Sequence, residues 1–320
     1  MRVTGATDEA VSEAASIIGQ GGLVAFPTET VYGLGADALN PMACARIFEV
    51  KNRPRFDPLI VHITDVSRLH DLCAVVDTRA SELAGVFWPG PLTLVLPKSD
   101  LVPGIVTAGL DTVAVRVPAN PVALRLLEEA GTPIAAPSAN PFGYISPTTA
   151  QHVEEQMGER VDLILDGGEC RVGIESTIID LTGEGSALLR AGGLSLEDIE
   201  AVIGSVDVPA VHPEKPIAPG QLPSHYSPRT RLVIVSGDPV VAGGDARTGL
   251  LAFRTPAHTE GYAAVEVLSP EGDVREAAAN LFGALHRLDN ADLDIIYAEP
   301  VPESGLGRAI MDRLRRAAQQ

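Results

Sequence analysis

The chain has 320 residues, 45% of them hydrophobic and 21% charged, and carries a formal net charge of −18. That length suits two domains with a sizeable core, and the composition excludes bulk disorder. The negative field disfavours a broad electrostatic grip on DNA or RNA but leaves room for a local basic site that holds an anion.

The opening MRVTGATDEAVSEAAS lacks the apolar region of a signal peptide, and no apolar run approaches the roughly 18 residues of a membrane span. Strand-like runs then alternate with helical patterns as far as residue 204. The strands expected are 23–26, 58–63, 91–96, 112–117, 133–137, 162–167, 176–181 and 187–190. The helices expected are 8–18 after Thr7, 41–50 with Asn40 as N-cap and Pro41 in the first turn, 79–87, 121–130, 148–157 and 195–203. Such alternation implies an α/β domain whose sheet is covered by helices.

Residues 205–229 hold six prolines in 25 positions, which rules out a helix or a central strand and reads as a stiff linker or functional loop. Beyond it, RLVIVSG, GLLAFR, AAVEVLS and LDIIYAEPV read as strands, with helices at 272–288 and 305–318. This is a second, smaller α/β domain over 230–320, after a first over 1–204. Cys44, Cys73 and Cys170 are odd in number and far apart, without metal-ligand spacing, and read as three reduced thiols in a cytoplasmic protein.

Several polar residues stand where a covered strand wants apolar ones. In TVAVRVP, Thr112, Ala114 and Arg116 share one face of the strand. A buried arginine needs an anionic partner, either a structural Asp or Glu, or a carboxylate or phosphate ligand. In PLIVHI, Ile60 and His62 share a face, and His62 is either a satisfied core residue or part of a polar cavity. KNRPRF gathers Lys51, Arg53 and Arg55 at a helix end; they either complement the helix C-terminus or form a site for a polyphosphate. APSAN presents Ser138 and Asn140 between Pro137 and Pro141, the pattern of a turn at a strand end. No GxSxG elbow surrounds Ser138 and no GxxxxGK[ST] loop occurs anywhere. In FPTETVYGLG, residues 26–35, hydroxyls and a carboxylate interrupt two apolar stretches, with Gly33 and Gly35 immediately behind them.

Taken in order, PTETVYGLG, KNRP, PLIVHI, AVRVP, APSAN, ESTIID and LLRAGG resemble the threonylcarbamoyl-AMP synthases of YrdC-like fold. The linker PGQLPSHYSP followed by an α/β domain resembles the longer, two-domain branch of that family. The resemblance covers nearly the whole chain. It implies a twisted sheet forming one concave cavity, plus a smaller C-terminal Rossmann-like domain. It also implies a nucleotidyltransferase that joins ATP, L-threonine and bicarbonate into threonylcarbamoyl-AMP and pyrophosphate, with Mg2+ accompanying ATP through its phosphates. The product would serve threonylcarbamoylation of tRNA, completed by other proteins, with no membrane and weak or no direct tRNA binding.

On that resemblance Lys51 and Arg53 supply the catalytic charge. ATP would meet Lys51, Arg53, Ser138, Asn140, Ser146 and Arg190, with Asp57 and Thr112 beside it and His225 and Tyr226 as a lid. Threonine would meet Thr30, Tyr32, His62, Arg116, the Ala136 carbonyl and Ser176. Two departures stand out: Asp57 occupies a position where the family often has Asn, and Gln221-Leu222-Pro223-Ser224 replaces a methionine and basic residues before the His-Tyr pair. A HypF-type carbamoyl transferase would need cysteine-rich zinc modules that three cysteines cannot build. An RNA-binding module is opposed by the charge and by an aromatic content of 4%. A catalytically idle regulator is opposed by Lys51, Arg53, Ser138 and Asn140.

Overall fold

The computed structural model describes residues 2–209, 216–222, 225–235 and 246–319. The first domain carries ten strands: β1 (Val3–Gly5), β2 (Val24–Phe26), β3 (Gly33–Asp37), β4 (Ile60–His62), β5 (Leu92–Pro97), β6 (Thr112–Arg116), β7 (Ile134–Ala135), β8 (Leu163–Asp166), β9 (Thr177–Asp180) and β10 (Ala187–Arg190). They form one mixed sheet in the order β1-β8-β2-β3-β7-β4-β6-β5-β9-β10. Its helices are α1 (Asp8–Gly19), α2 (Pro41–Lys51), α3 (Leu69–Leu72), α4 (Thr78–Phe87), α5 (Pro121–Ala130), α6 (Ala150–Met157) and α7 (Leu196–Ile203). All eight strands and six helices expected from the sequence are present, with β1, β3 and α3 in addition.

Local chemistry sets the helix ends. The Thr7 hydroxyl accepts from the Ala10 amide at the start of α1, and Asn40 accepts from the Met42 and Ala43 amides ahead of Pro41. The cap of α2 leaves Lys51 at the last turn, its side chain aimed inward.

The two faces of the sheet are covered differently. One face packs Val61, Leu94, Val113, Val115 and Ile179 against Cys44, Ile47, Leu83, Val153 and Ile199 of the surrounding helices. On the other face, α1 and α5 cover only one end, over Val24, Phe26, Leu163 and Leu165. Beyond them, Ile60, Val95, Ala114, Ile178 and Leu189 are met by Ile217 and Ala218 of the linker instead of a helix. The concavity left there is where the polar side chains of β4 and β6 point.

The second domain has a wholly parallel sheet, order β11-β14-β12-β13, from β11 (Arg231–Ile234), β12 (Thr248–Ala252), β13 (Ala264–Val267) and β14 (Ile295–Ala298), with α8 (Val274–Asp289) and α9 (Gly307–Ala317). Its core of Leu251, Leu281, Phe282, Ile310 and Leu314 runs without a break into Val31, Ile145 and Ile174 of the first domain and Tyr226 of the linker. At the same junction His152 and His286 stack with ring centroids 3.8 Å apart. Among the described residues no helix is long and apolar enough to cross a membrane, and all three cysteines are free and buried.

Candidate active site

The hairpin β2–β3 turns through Thr28, whose hydroxyl donates to the Val31 carbonyl at 2.6 Å and accepts from the Thr30 and Val31 amides. That turn brings Thr28, Thr30, Val31 and Gly33 to the wall of the cavity. Gly35 stays against the sheet, where a Cβ would lie 2.7 Å from the Phe26 ring and 2.8 Å from Ile134. Opposite stand Ser138, Glu175, Ser176, Arg190 and the linker residues Pro219, Gly220, His225 and Tyr226. The enclosed space is about 50 Å³, room for a few waters at roughly 10–15 Å³ each.

Three guanidinium groups enter this wall. Arg116 is held from behind: Nε donates to the Gly90 carbonyl at 3.2 Å, Nη1 to the Thr30 hydroxyl at 3.0 Å, and Nη2 to Glu29 at 2.5 Å. The structural reading of this strand arginine is met by Glu29, and the guanidinium also lines the cavity. Arg53 pairs with Asp57 at 2.9 Å and donates to the Pro58 carbonyl at 2.8 Å. Arg190 donates from Nε and Nη2 to the Ser176 carbonyl and from Nη1 to the Pro219 carbonyl at 3.3 Å. Burial lowers the pKa of Arg53 and of Arg190 from the ordinary value, and Arg313 and Arg116 add like charge near Arg190. Among the described residues Arg53 and Arg116 each have a carboxylate partner, whereas Arg190 is held by carbonyl and hydroxyl oxygens and makes no ion pair.

Lys51 lies one layer behind. Its Nζ donates to the Ser138 carbonyl at 2.6 Å, to the Asn140 carbonyl, and weakly to Asn140 Oδ1 at 3.5 Å. Burial, then the neighbouring Arg53, lowers its pKa, while three oxygen acceptors around Nζ suit the ammonium form. The Lys51 and APSAN signals are thus parts of one unit, in which the ammonium shapes the loop that presents Ser138. Asn140 in turn donates to the Tyr144 carbonyl at 2.8 Å.

Some buried polar atoms lack partners. Among the described residues His62 Nδ1, His225 Nδ1, the Tyr226 hydroxyl and Asp57 Oδ1 have none. Burial, with Arg116 adding like charge, pushes the His62 pKa down to about 3, so its imidazole is neutral. Burial also lowers that of His225, aided by Arg53 and Lys51. Of these, His62, His225 and Tyr226 line the cavity, where such atoms are open to a water or a ligand.

Of the residues singled out in the sequence, Thr30, Arg53, His62, Arg116, Ala136, Ser138, Ser176, Arg190, His225 and Tyr226 line one cavity. Lys51, Asp57, Asn140 and Ser146 are buried outside its surface layer. Thr112 shares the face of Ala114 and Arg116 but sits at the opposite end of β6, paired with Pro97. The expectation that Tyr32 lines the pocket gives way to Val31, because the Thr28 turn directs Tyr32 to the other side, where its hydroxyl donates to the Gly168 carbonyl at 2.8 Å. Two buried charged residues that pair at the site went unread. Glu175 stands next to Ser176 in ESTIID. Arg313 interrupts the apolar stripe Ala309, Ile310, Leu314 and Ala317 of α9, a charge out of place that was visible in the sequence.

Two family models cover the chain: one described as "Telomere recombination" matches residues 16–192, and one described as "Threonylcarbamoyl-AMP synthase, C-terminal domain" matches residues 194–319. The chain is 48% identical to the threonylcarbamoyl-AMP synthase of Pyrococcus abyssi over 95% of its own length and 93% of that protein's. It is 43% identical to the Bacillus subtilis protein of the same name, over 97% and 93%. Its fold superposes on crystalline P. abyssi Sua5 complexed with L-threonine with a TM-score of 0.90, at 46% identity, over 96% of this chain and 94% of that one. With both domains matched and identities this high over nearly full lengths, the chain belongs to the threonylcarbamoyl-AMP synthase family.

Proposed function

We propose that this cavity joins ATP, L-threonine and bicarbonate, releasing threonylcarbamoyl-AMP and pyrophosphate. The observation that carries the reading is the convergence of Arg53, Arg116 and Arg190 with the partnerless polar atoms of His62, His225 and Tyr226 on one wall. The threonine amine attacks bicarbonate, losing water, to give an N-carboxylate. One of its oxygens then attacks the α-phosphorus of ATP in line, and the bond to the β-phosphate oxygen breaks as pyrophosphate leaves. That second step moves no proton, so it needs fixed positive charge and alignment more than a general base.

In this reading Arg116 takes the threonine carboxylate, since described residues engage only three of its five N–H donors. Neutral His62 and the hydroxyls of Thr30 and Ser176 surround the rest of the amino acid. Arg53, Arg190 and the Lys51-supported loop face the phosphates, with Ser138 and Asn140 alongside and Ser146 toward the nucleoside. His225 and Tyr226 close over them. Asp57 serves as counter-ion to Arg53 and does not itself meet the phosphates.

The donor set does not build a metal cage. Glu29 and Asp57 are paired with arginines, Glu175 is likewise paired, and no group of three or more His, Cys, Asp or Glu gathers among the described residues. Magnesium would therefore arrive on the ATP phosphates, and no step is assigned to a protein-held ion. A net charge of −18 disfavours a broad grip on tRNA, which fits a modification completed by other proteins.

The test is pyrophosphate release with ATP, magnesium, bicarbonate and L-threonine, omitting each in turn, with mass spectrometry of the nucleotide product. Release that needs both threonine and bicarbonate and yields the threonylcarbamoyl-AMP mass is the expected outcome. Release without threonine would refute the reading. A second expectation concerns the other domain: deleting residues 205–320 uncovers Val31, Ile145 and Ile174 and removes the roof, so ATP turnover should fall by about 100-fold or more. Unchanged kinetics in the truncated chain would show that the second domain plays no part in the site.

A further inference from the structure

Glu175 is the one carboxylate among the described residues of the cavity wall, and the substrates proposed for that cavity are anions. Its charge is answered from the other domain. Glu175 Oε2 receives Nε and Nη2 of Arg313, each at 3.1 Å. The Arg313 side chain is fully buried, and it has come from α9 to reach this point. Its Nη1 donates to the Ala191 carbonyl at 2.6 Å and to Asp312 at 3.1 Å, and its guanidinium lies 5.2 Å from the centre of the Tyr226 ring. The other Glu175 oxygen accepts from the Ser146 hydroxyl at 2.5 Å. The second domain also approaches the Ser146 carbonyl, through His286 Nε2 at 3.2 Å.

We propose that Arg313 of the second domain is a positioning residue of the transfer site: it neutralises Glu175, through Glu175 it fixes the Ser146 hydroxyl, and with its own guanidinium it backs the Tyr226 ring. The inference rests on the reading of the cavity as an ATP site. With the domains docked, Arg313 answers Glu175, and the positive charge of Arg190, which makes no ion pair among the described residues, is left to the substrates. With Arg313 gone, an unpaired buried carboxylate faces the polyphosphate and cancels part of that charge. The Ser146 hydroxyl, its proton committed to Glu175, presents only lone pairs elsewhere, so it accepts from a ribose hydroxyl or an amino group and does not bind phosphate oxygen.

The test is calorimetric binding of magnesium-AMPCPP, an ATP analogue with carbon between the α- and β-phosphorus atoms, and separately of L-threonine, to the full chain. The variants are Arg313→Gln, Glu175→Gln and the double substitution. Arg313→Gln should weaken the nucleotide by about tenfold or more and threonine by less than about threefold; adding Glu175→Gln should bring the nucleotide back to within about threefold of Glu175→Gln alone. A double variant as weak as Arg313→Gln, or equal losses for both ligands, would overturn the proposal. Should Arg313→Gln fail to fold by thermal melting, Glu175→Gln and the double variant still decide: near-equal affinities support charge compensation, and a further tenfold loss refutes it. Failure of the unaltered chain to bind the nucleotide would strike the ATP reading itself, a different result from an unrepaired double variant.

Discussion

Arg116→Ala should raise the threonine concentration needed for half-maximal turnover by about 100-fold while moving the ATP requirement by less than about threefold. The asymmetry follows from where the guanidinium is held. Gly90, Thr30 and Glu29 fix it from behind, so its remaining donors project rigidly and lose little freedom when a carboxylate arrives. The same substitution strands the buried Glu29 carboxylate, which among the described residues otherwise accepts only the Ala119 amide at 3.0 Å. Breaking a buried pair in this way costs about 3–5 kcal/mol of stability. Pairing Arg116→Ala with Glu29→Gln removes that stability loss without restoring the carboxylate site, so the kinetic defect should persist in the double variant. Equal effects on both substrates would move the threonine site elsewhere.

Lys51→Met should lower kcat/KM for ATP by about 1,000-fold with a much smaller change in the threonine requirement. Methionine keeps the volume but leaves the Ser138 and Asn140 carbonyls without their buried donor. Each stranded acceptor costs about 1–3 kcal/mol, and the APSAN loop can recover it only by turning toward water. That movement carries Ser138 off the wall just as the phosphates lose a nearby cation. Steady-state kinetics on the purified variant, with circular dichroism to confirm the fold, separates the two effects. A loss below about tenfold would mean that the loop holds its shape without Lys51.

Much of this architecture was legible because its signals are local. Thr7 and Asn40-Pro41 mark helix starts within a turn of the residues they cap. The alternation in TVAVRVP and PLIVHI put Arg116 and His62 on one face, and the register pairs them side by side on adjacent parallel strands. β3 was harder to read, because Gly33 and Gly35 have little strand propensity. Their place in the sheet depends on Phe26 and Ile134 filling the space that side chains would need, which is a tertiary matter. Tyr32 was put on the wrong side for a related reason: one hydroxyl, that of Thr28, decides which of two adjacent residues faces the cavity. The partner of Glu175 lies 138 residues away in another domain, and no spacing rule reaches so far. Asp57 stood out in the sequence only as a departure from the family's Asn, whereas the structure pairs it with Arg53 at 2.9 Å as a counter-ion.

Roofing the concave face with chain also sets the lifetime of what is made there. A carbonic–phosphoric mixed anhydride is readily hydrolysed, so it survives in proportion to how seldom water reaches it. Ile217 and Ala218 lie on Ile60, Ala114 and Leu189, an apolar seam along one side of the cavity. Gln221 stiffens that seam by accepting the Ile217 and Ala218 amides at 2.8 and 3.1 Å. At Gly220 a side chain would run into the Tyr226 hydroxyl 2.8 Å away, so the roof fits too closely for any larger residue. In the proposed reading, the segment that keeps solvent from the anhydride is also the one that lifts to let it go. Leakage and delivery are then two outcomes of a single opening, and the yield of intact product depends on whether an acceptor is already waiting when the roof moves.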